Sequence, residues 1–134
     1  MTKGDDMKEI IYSDKAPKAV GPYSQGVKAK EFIFLSGQIA LDSQTGEISR
    51  GGAAEQTRII LNNIKELLAA AGCGLEDIVK ANVYLTDIGE FKNVNEVYAG
   101  FFGENPPARC CVEVSALPKN ASVEIEVIAA ARTD

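Results

Sequence analysis

Residues 109–131 read Arg-Cys-Cys-Val-Glu-Val-Ser-Ala-Leu-Pro-Lys-Asn-Ala-Ser-Val-Glu-Ile-Glu-Val-Ile-Ala-Ala-Ala, and this stretch decides the fold class. From Ser122 to Ala131 the residues alternate. Val123, Ile125, Val127 and Ala129 share one face, and Ser122, Glu124, Glu126 and Ile128 share the other. A period of two is the mark of a strand with one buried face. Arg109 to Ala116 is a second strand, with Val112, Val114 and Ala116 opposed to Arg109, Cys111, Glu113 and Ser115. Leu117 to Ala121 is the turn between them. Paired as a hairpin, the two strands place Arg109 and Glu124 on one face.

Upstream, Pro106-Pro107 must stop any helix. Phe91, Val94, Tyr98, Phe101 and Phe102 form the stripe of such a helix. Asn95 is read on the face opposite Phe101-Phe102. The helix should begin near Asp87, with Glu90 closing a loose capping box. Before it, Ile78–Leu85 alternates: Val79, Ala81, Val83 and Leu85 on one face, and Ile78, Lys80, Asn82 and Tyr84 on the other.

The strongest helix carries Thr57, Ile60, Leu61, Ile64, Leu67, Leu68 and Ala71 at helical spacing, and Gly72 is its stop. Arg58, Asn62, Lys65 and Glu66 lie on its polar side. Gly26 to Ile39 forms two strands joined at Lys30-Glu31, with Phe32–Leu35 an apolar run of the central-strand kind. Asp14 to Tyr23, with Pro17, Gly21 and Pro22, is an irregular loop. Lys8–Tyr12 is a short strand, and residues 1–6 are read as frayed. The expectation is one domain over residues 1–134: a two-layer α+β fold, one mixed sheet with two helices on its apolar face. The second face is either plain solvated surface or a polar interface between copies.

Composition narrows the chemistry. The chain has 134 residues, with 46% apolar and 25% charged residues, normal for a globular domain. Nineteen acids against 14 bases give a net charge of −5. Such a surface repels phosphate backbones and anionic lipids, so nucleic-acid and membrane binding are disfavoured. The chain contains no histidine. That removes Ser-His and Cys-His nucleophile pairs and His-ligated zinc, and no carboxylate cluster has metal spacing, so no metal and no cofactor are expected. Acid–base work falls to Glu, Asp, Lys, Tyr or water. Cys73, Cys110 and Cys111 contain no CxxC pair, and a disulfide between neighbours needs a strained ring. Free thiols and a cytoplasmic location are expected. There is no apolar signal region before Glu9 and no apolar run of about 18 residues.

Five motifs in order resemble one family. They are Ala16-Pro17 with Gly21-Pro22-Tyr23-Ser24-Gln25-Gly26, then Phe34-Leu35-Ser36-Gly37-Gln38-Ile39, then Val94-Asn95-Glu96-Val97-Tyr98 with Phe101-Phe102. After these come Pro107-Ala108-Arg109-Cys110-Cys111-Val112-Glu113-Val114, and finally Leu117-Pro118-Lys119 with Val123-Glu124-Ile125-Glu126. Together they resemble the RidA/YjgF family of reactive-intermediate deaminases, from about Ile10 to Ala131. The resemblance implies a chorismate-mutase-like fold, a homotrimer with the sheets at its centre and clefts between subunits. It also implies hydrolysis of 2-imino acids, such as 2-iminobutanoate and 2-iminopropanoate, to 2-oxo acids and ammonium. The family's older label is translation inhibitor or single-strand endoribonuclease, and a non-catalytic metabolite-binding trimer is the third alternative.

Alone, Arg109 reads as a surface residue at a strand end. With the motif in register it binds the substrate carboxylate, which a guanidinium fork matches with two parallel bonds. Glu124 takes the family's acid position, handling water and proton, whereas Glu126 reads as exposed. Tyr23, Ser36, Gly37 and Asn95 match pocket positions. Ser36-Gly37 offers a hydroxyl and a backbone N–H to the carboxylate. Cys111 lines the pocket and contributes its backbone carbonyl rather than a nucleophilic thiol, since no thiolate stabiliser is evident. Cys110 is read as core filler.

Overall fold

The computed structural model describes residues 7–132; the expectation for residues 1–6 falls outside them. Among the described residues, six strands run β1 (Glu9–Ile11), β2 (Gly26–Ala29), β3 (Phe32–Leu35), β4 (Ile78–Leu85), β5 (Ala108–Glu113) and β6 (Val123–Ala130). The helices α1 (Ala53–Ala70) and α2 (Phe91–Phe101) form the second layer. The strands form one mixed sheet in the order β1-β2-β3-β6-β4-β5. This is the α+β architecture read from the sequence.

The hairpin is not formed. β6 pairs antiparallel with β3 and β4, while β5 pairs parallel with β4 at the sheet edge. The reason lies in α2: it carries the chain back across the sheet, and a strand that follows such a crossover enters parallel to the strand before it. β5 also ends at Glu113, three residues early.

The faces follow from register. Val123, Ile125, Val127 and Ala129 are buried with Ala81, Val83 and Leu85 against Ile60, Leu61, Ile64, Leu67 and Leu68 of α1 and Val94 of α2. Arg109 lies beside Ala81, and Cys111 beside Val83, so both face the helices. Glu124 lies beside Tyr84, and Glu126 beside Asn82, so both face away from the helices. Arg109 and Glu124 therefore stand on opposite faces, against the reading from the hairpin. Cys110 and Val112 also point to the open face, and Cys110 is exposed, so it fills no core.

Several local readings are corrected. A bulge between Ile78 and Lys80 makes Val79 the extra residue, so Ile78 is buried and Val79 exposed, the reverse of plain alternation. Phe32 and Phe34 are half exposed while Ile33 and Leu35 are buried, because β3 has helices on one side only. α1 begins at Ala53, earlier than its apolar stripe, and ends at Ala70 before Gly72, whose φ of 75° suits glycine. Asp87 caps a short 3₁₀ turn, Ile88–Glu90, by accepting from the Gly89 N–H, and α2 follows from Phe91. Glu90 makes no capping box; its carboxylate accepts from Asn93 instead.

The open face carries Ile10, Phe32, Phe34, Val79 and Val112, all between 41% and 55% exposed. Among them sits a polar group: Glu126 Oε1 accepts from Tyr84 Oη at 2.6 Å and from Asn82 Nδ2 at 3.1 Å. That bond to Glu126, reinforced by burial, pushes the Tyr84 phenol up to about 12. Glu126 is thus a half-buried network member rather than a free surface acid.

Candidate functional site

The residues singled out in the sequence divide into two groups, one on each side of the sheet. The first is built on β5 and α2. The helix ends at Phe101, ahead of Pro106-Pro107, and β5 starts directly after the prolines, so Arg109 rises beside the helix. Its Nη1 donates to Asn95 Oδ1 at 2.7 Å. The guanidinium carbon sits 4.8 Å from the centre of the Tyr98 ring and 5.5 Å from that of Phe91. Asn95, Tyr98, Ala99, Phe102, Pro106, Pro107 and Arg109 line one groove. Asn95 and Phe102 therefore share a face, contrary to the sequence reading; seven residues are two turns, so the geometry of the helix requires it. Cys111 lies two residues beyond Arg109 on the same face. Burial pushes its thiol up, more than the nearby Arg109 charge pulls it down. A protonated, half-buried thiol is a poor nucleophile.

The second group gathers where β6 passes the segment after β3. Gln38 N–H donates to Ile125 C=O at 2.8 Å, and Ile125 N–H returns a bond to Gln38 C=O at 3.0 Å. This pair lays Gly37 against Glu124. A Cβ at Gly37 would come within 3.0 Å of Glu124 Cδ, so the missing side chain is the space the carboxylate occupies. Burial, and after it the charge of Glu126, pushes the Glu124 carboxyl above its ordinary value. A pocket of about 110 Å³ opens over it, walled by Pro17, Tyr23, Gln38, Pro118 and Lys119.

The phenol of Tyr23 is held in place: Val20 N–H donates to its Oη at 3.3 Å, and Tyr23 N–H donates to Gly21 C=O at 2.8 Å. Ser36 has a different task from the one expected. Its hydroxyl donates to Ser24 C=O at 2.6 Å, which ties the two motif loops together and uses the only proton it could give a ligand.

Several contributors were missed in the sequence. Gln25 is buried; its side chain accepts from Ser13 N–H at 2.8 Å and donates to Pro17 C=O at 2.8 Å, fixing the loop that carries Tyr23. An amide side chain inside the Gly21–Gly26 motif was its signal. Tyr98 and Phe91 were assigned to the packing stripe, and nothing in their spacing shows that they also lie under a guanidinium. Lys119, with φ of 56°, stands at the rim of the Glu124 pocket in a left-handed conformation that a sequence pattern does not show. Among the described residues, no group of three His, Cys, Asp or Glu side chains converges as a metal site would require. No helix among them is long and apolar enough to cross a membrane.

Comparison with known proteins places this geometry. The family model for endoribonuclease L-PSP matches residues 13–131. The chain is 54% identical to a RutC family protein of Pyrococcus horikoshii, over 92% of this chain and 98% of that one. It is 45% identical to the 2-iminobutanoate/2-iminopropanoate deaminase of Homo sapiens, over 92% and 90% of the two chains. Its fold superposes on the crystal structure of E. coli TdcF with bound serine at a TM-score of 0.88 and 44% identity, covering 93% and 99% of the chains. The chain belongs to the endoribonuclease L-PSP family, the RidA/YjgF family that its five motifs resemble.

Proposed function

We propose that the protein hydrolyses reactive 2-imino acids to 2-oxo acids and ammonium, at sites shared between copies of its chain. The observation that carries this reading is Glu124: a carboxyl in a pocket, raised by burial, fitted into space left by Gly37. A carboxyl whose proton affinity is raised by burial holds and returns a proton more readily than a solvated one, and imine hydrolysis demands both a proton donor and a proton acceptor. The relative named as an imine deaminase supports the substrate class. So does the serine bound in TdcF, a small molecule with a carboxylate beside a carbon that bears nitrogen.

The reaction then runs as follows. Arg109, steadied by Asn95, binds the carboxylate of the imine through its remaining N–H groups. Glu124 gives its proton to the imine nitrogen. Water attacks C2 and loses a proton to the Glu124 carboxylate, forming a carbinolamine. The same proton passes to the amino nitrogen, the C–N bond breaks to release ammonia, the hydroxyl proton returns to the Glu124 carboxylate as the carbonyl forms, and the ammonia takes a proton from water to become ammonium. Tyr23 and the Gly37 backbone close the pocket around the acid, and the Cys111 backbone carbonyl helps to hold the water. Ser36 shapes the pocket through its bond to Ser24 rather than by touching substrate.

Opposite faces of one sheet cannot meet, so Arg109 and Glu124 act together only when one copy presents its Arg109 face to the Glu124 pocket of another. We assign this to a homotrimer whose open sheet faces, with half-exposed Phe32, Phe34 and Val112, pack together while the β5 edge of each copy brings its Arg109 to the Glu124 pocket of a neighbour. The three free thiols fit a cytoplasmic setting.

The test generates 2-aminoacrylate from serine with a dehydratase and times pyruvate release above the spontaneous rate. Acceleration by the protein is expected. No acceleration, with 2-oxo acid binding intact, would favour the metabolite-binding alternative. Cleavage of single-stranded RNA that is lost with Arg109→Ala would favour the endoribonuclease reading.

A further inference from the structure

We infer that Tyr98 is the positioning residue for Arg109: its ring is the shelf that holds the guanidinium open for a carboxylate. The inference deepens the proposed function and rests on Arg109 being the carboxylate binder.

The argument begins with what a binding arginine needs. It must be held still, because a free Arg side chain loses rotamer freedom when a ligand orders it. It must also keep its in-plane N–H groups unspent. A carboxylate neighbour would hold the cation but would consume those donors and cancel the charge. Among the described residues, no Asp or Glu side chain forms an ion pair with Arg109; the ion pairs present belong to Arg58 and Arg132. An aromatic ring answers both needs. It stabilises the cation through its π face and takes no donor from the plane. Tyr98 supplies the nearer ring, at 4.8 Å, and Phe91 the farther, at 5.5 Å. Asn95 fixes one edge by a single bond to Nη1, which leaves the other N–H groups to a ligand.

The shelf is itself braced. Tyr98 is only 6% exposed, and its ring stacks on Phe102 with centroids 4.6 Å apart. Its hydroxyl is buried and has no hydrogen-bond partner among the described residues. A buried hydroxyl without a partner contributes nothing to stability and costs desolvation. The hydroxyl therefore does not explain the residue, whereas the ring does.

The experiment reads the arginine directly and does not depend on turnover. In protein labelled with ¹⁵N-arginine, the Arg109 Nε–H resonance should carry a ring-current shift. Tyr98→Leu should remove most of that shift and weaken 2-oxobutanoate binding by roughly 5- to 30-fold. In turnover, the loss should fall mainly on KM. Tyr98→Phe should restore both the shift and the affinity, and should unfold at the same temperature as the parent or higher. Should Tyr98→Leu fail to fold, Tyr98→Met serves, because a flexible thioether chain fills the space of the ring without its π face; the same loss is expected there. A folded Tyr98→Leu, or failing that Tyr98→Met, that keeps the shifted resonance and full affinity would overturn the inference. So would a Tyr98→Phe variant that loses both, since the hydroxyl would then matter. A parent protein that binds 2-oxobutanoate through Arg109 yet accelerates no imine hydrolysis would refute the proposed function and leave the shelf standing.

Discussion

Gly37→Ala puts the account of Glu124 under strain at a single atom. The added Cβ would lie inside contact distance of Glu124 Oε2, 3.0 Å from Cδ and 3.3 Å from Cγ. Carbon atoms rest at about 3.5–4.0 Å, so the carboxyl end must retreat by roughly 0.5–1 Å. It can do so by rotating its own side chain, at a cost of about 0.5–1.5 kcal/mol, because the obstructing atoms are the free end of a flexible chain. The fold should therefore survive with a fall of only a few degrees in Tm. The chemistry should not survive as well. A misplacement of about 1 Å in a reacting group costs on the order of 10²-fold, so kcat should fall by about that factor. KM should move little, since the carboxylate-binding Arg109 of that site comes from another copy and keeps its own support. The limb of the pH–rate profile that reports Glu124 should also move to lower pH as the carboxyl leaves its pocket for solvent. The coupled dehydratase assay, run from pH 5 to 9 with the spontaneous rate subtracted, measures all three. Normal kcat with an unchanged profile would refute the reasoning, and so would a collapse of Tm, which would make Gly37 a folding residue.

Other substitutions separate the roles further. Glu124→Gln keeps the shape, so 2-oxo acid binding should persist while turnover falls on the order of 10²–10⁴-fold. The same variant should be more stable than its parent at pH 7. The native carboxyl is raised, so the folded state binds more protons than the unfolded one and loses stability as pH rises from the ordinary glutamate range. The advantage of Gln should thus fade toward pH 4 in thermal scans, and a stability difference independent of pH would contradict this. Arg109→Ala should lose roughly 30- to 5000-fold in kcat/KM, with Arg109→Lys recovering only part, since Lys keeps the charge without the fork. Cys111→Ser should retain most activity in the same assay; a loss as deep as that of Arg109→Ala would instead indicate covalent thiol chemistry.

What could be read from the sequence was what local patterns encode. The alternation from Val123 to Ala130 assigned β6 its faces correctly, because one side packs on helices along its whole length. The stripe from Thr57 to Leu68 and the stop at Gly72 were legible for the same reason. Partner choice was not legible. Two alternating strands joined by a Pro-containing turn look like a hairpin, yet β5 is claimed by β4 through the crossover of α2. That one long-range choice puts Arg109 on the far face from Glu124, and no local pattern records it. The bulge at Val79 was hidden similarly, since an inserted residue keeps the composition of a strand while shifting its phase. In the candidate site, the motifs located Arg109, Glu124, Tyr23, Gly37 and Asn95. They did not show that Ser36 spends its proton on Ser24, or that Tyr98 lies under the guanidinium.

The central claim is that a working site takes its acid from one copy and its arginine from another. Mixing tests it most directly. Arg109→Ala and Glu124→Gln, each nearly inactive alone, are unfolded together in equal amounts and refolded. Where copies share sites head to tail, a site is intact when the Glu124 donor is the arginine variant and the Arg109 donor is the glutamine variant. Each condition holds half the time, so activity should return to about a quarter of that of the parent protein refolded alone. A mixture no more active than the two variants measured separately would contradict the shared site.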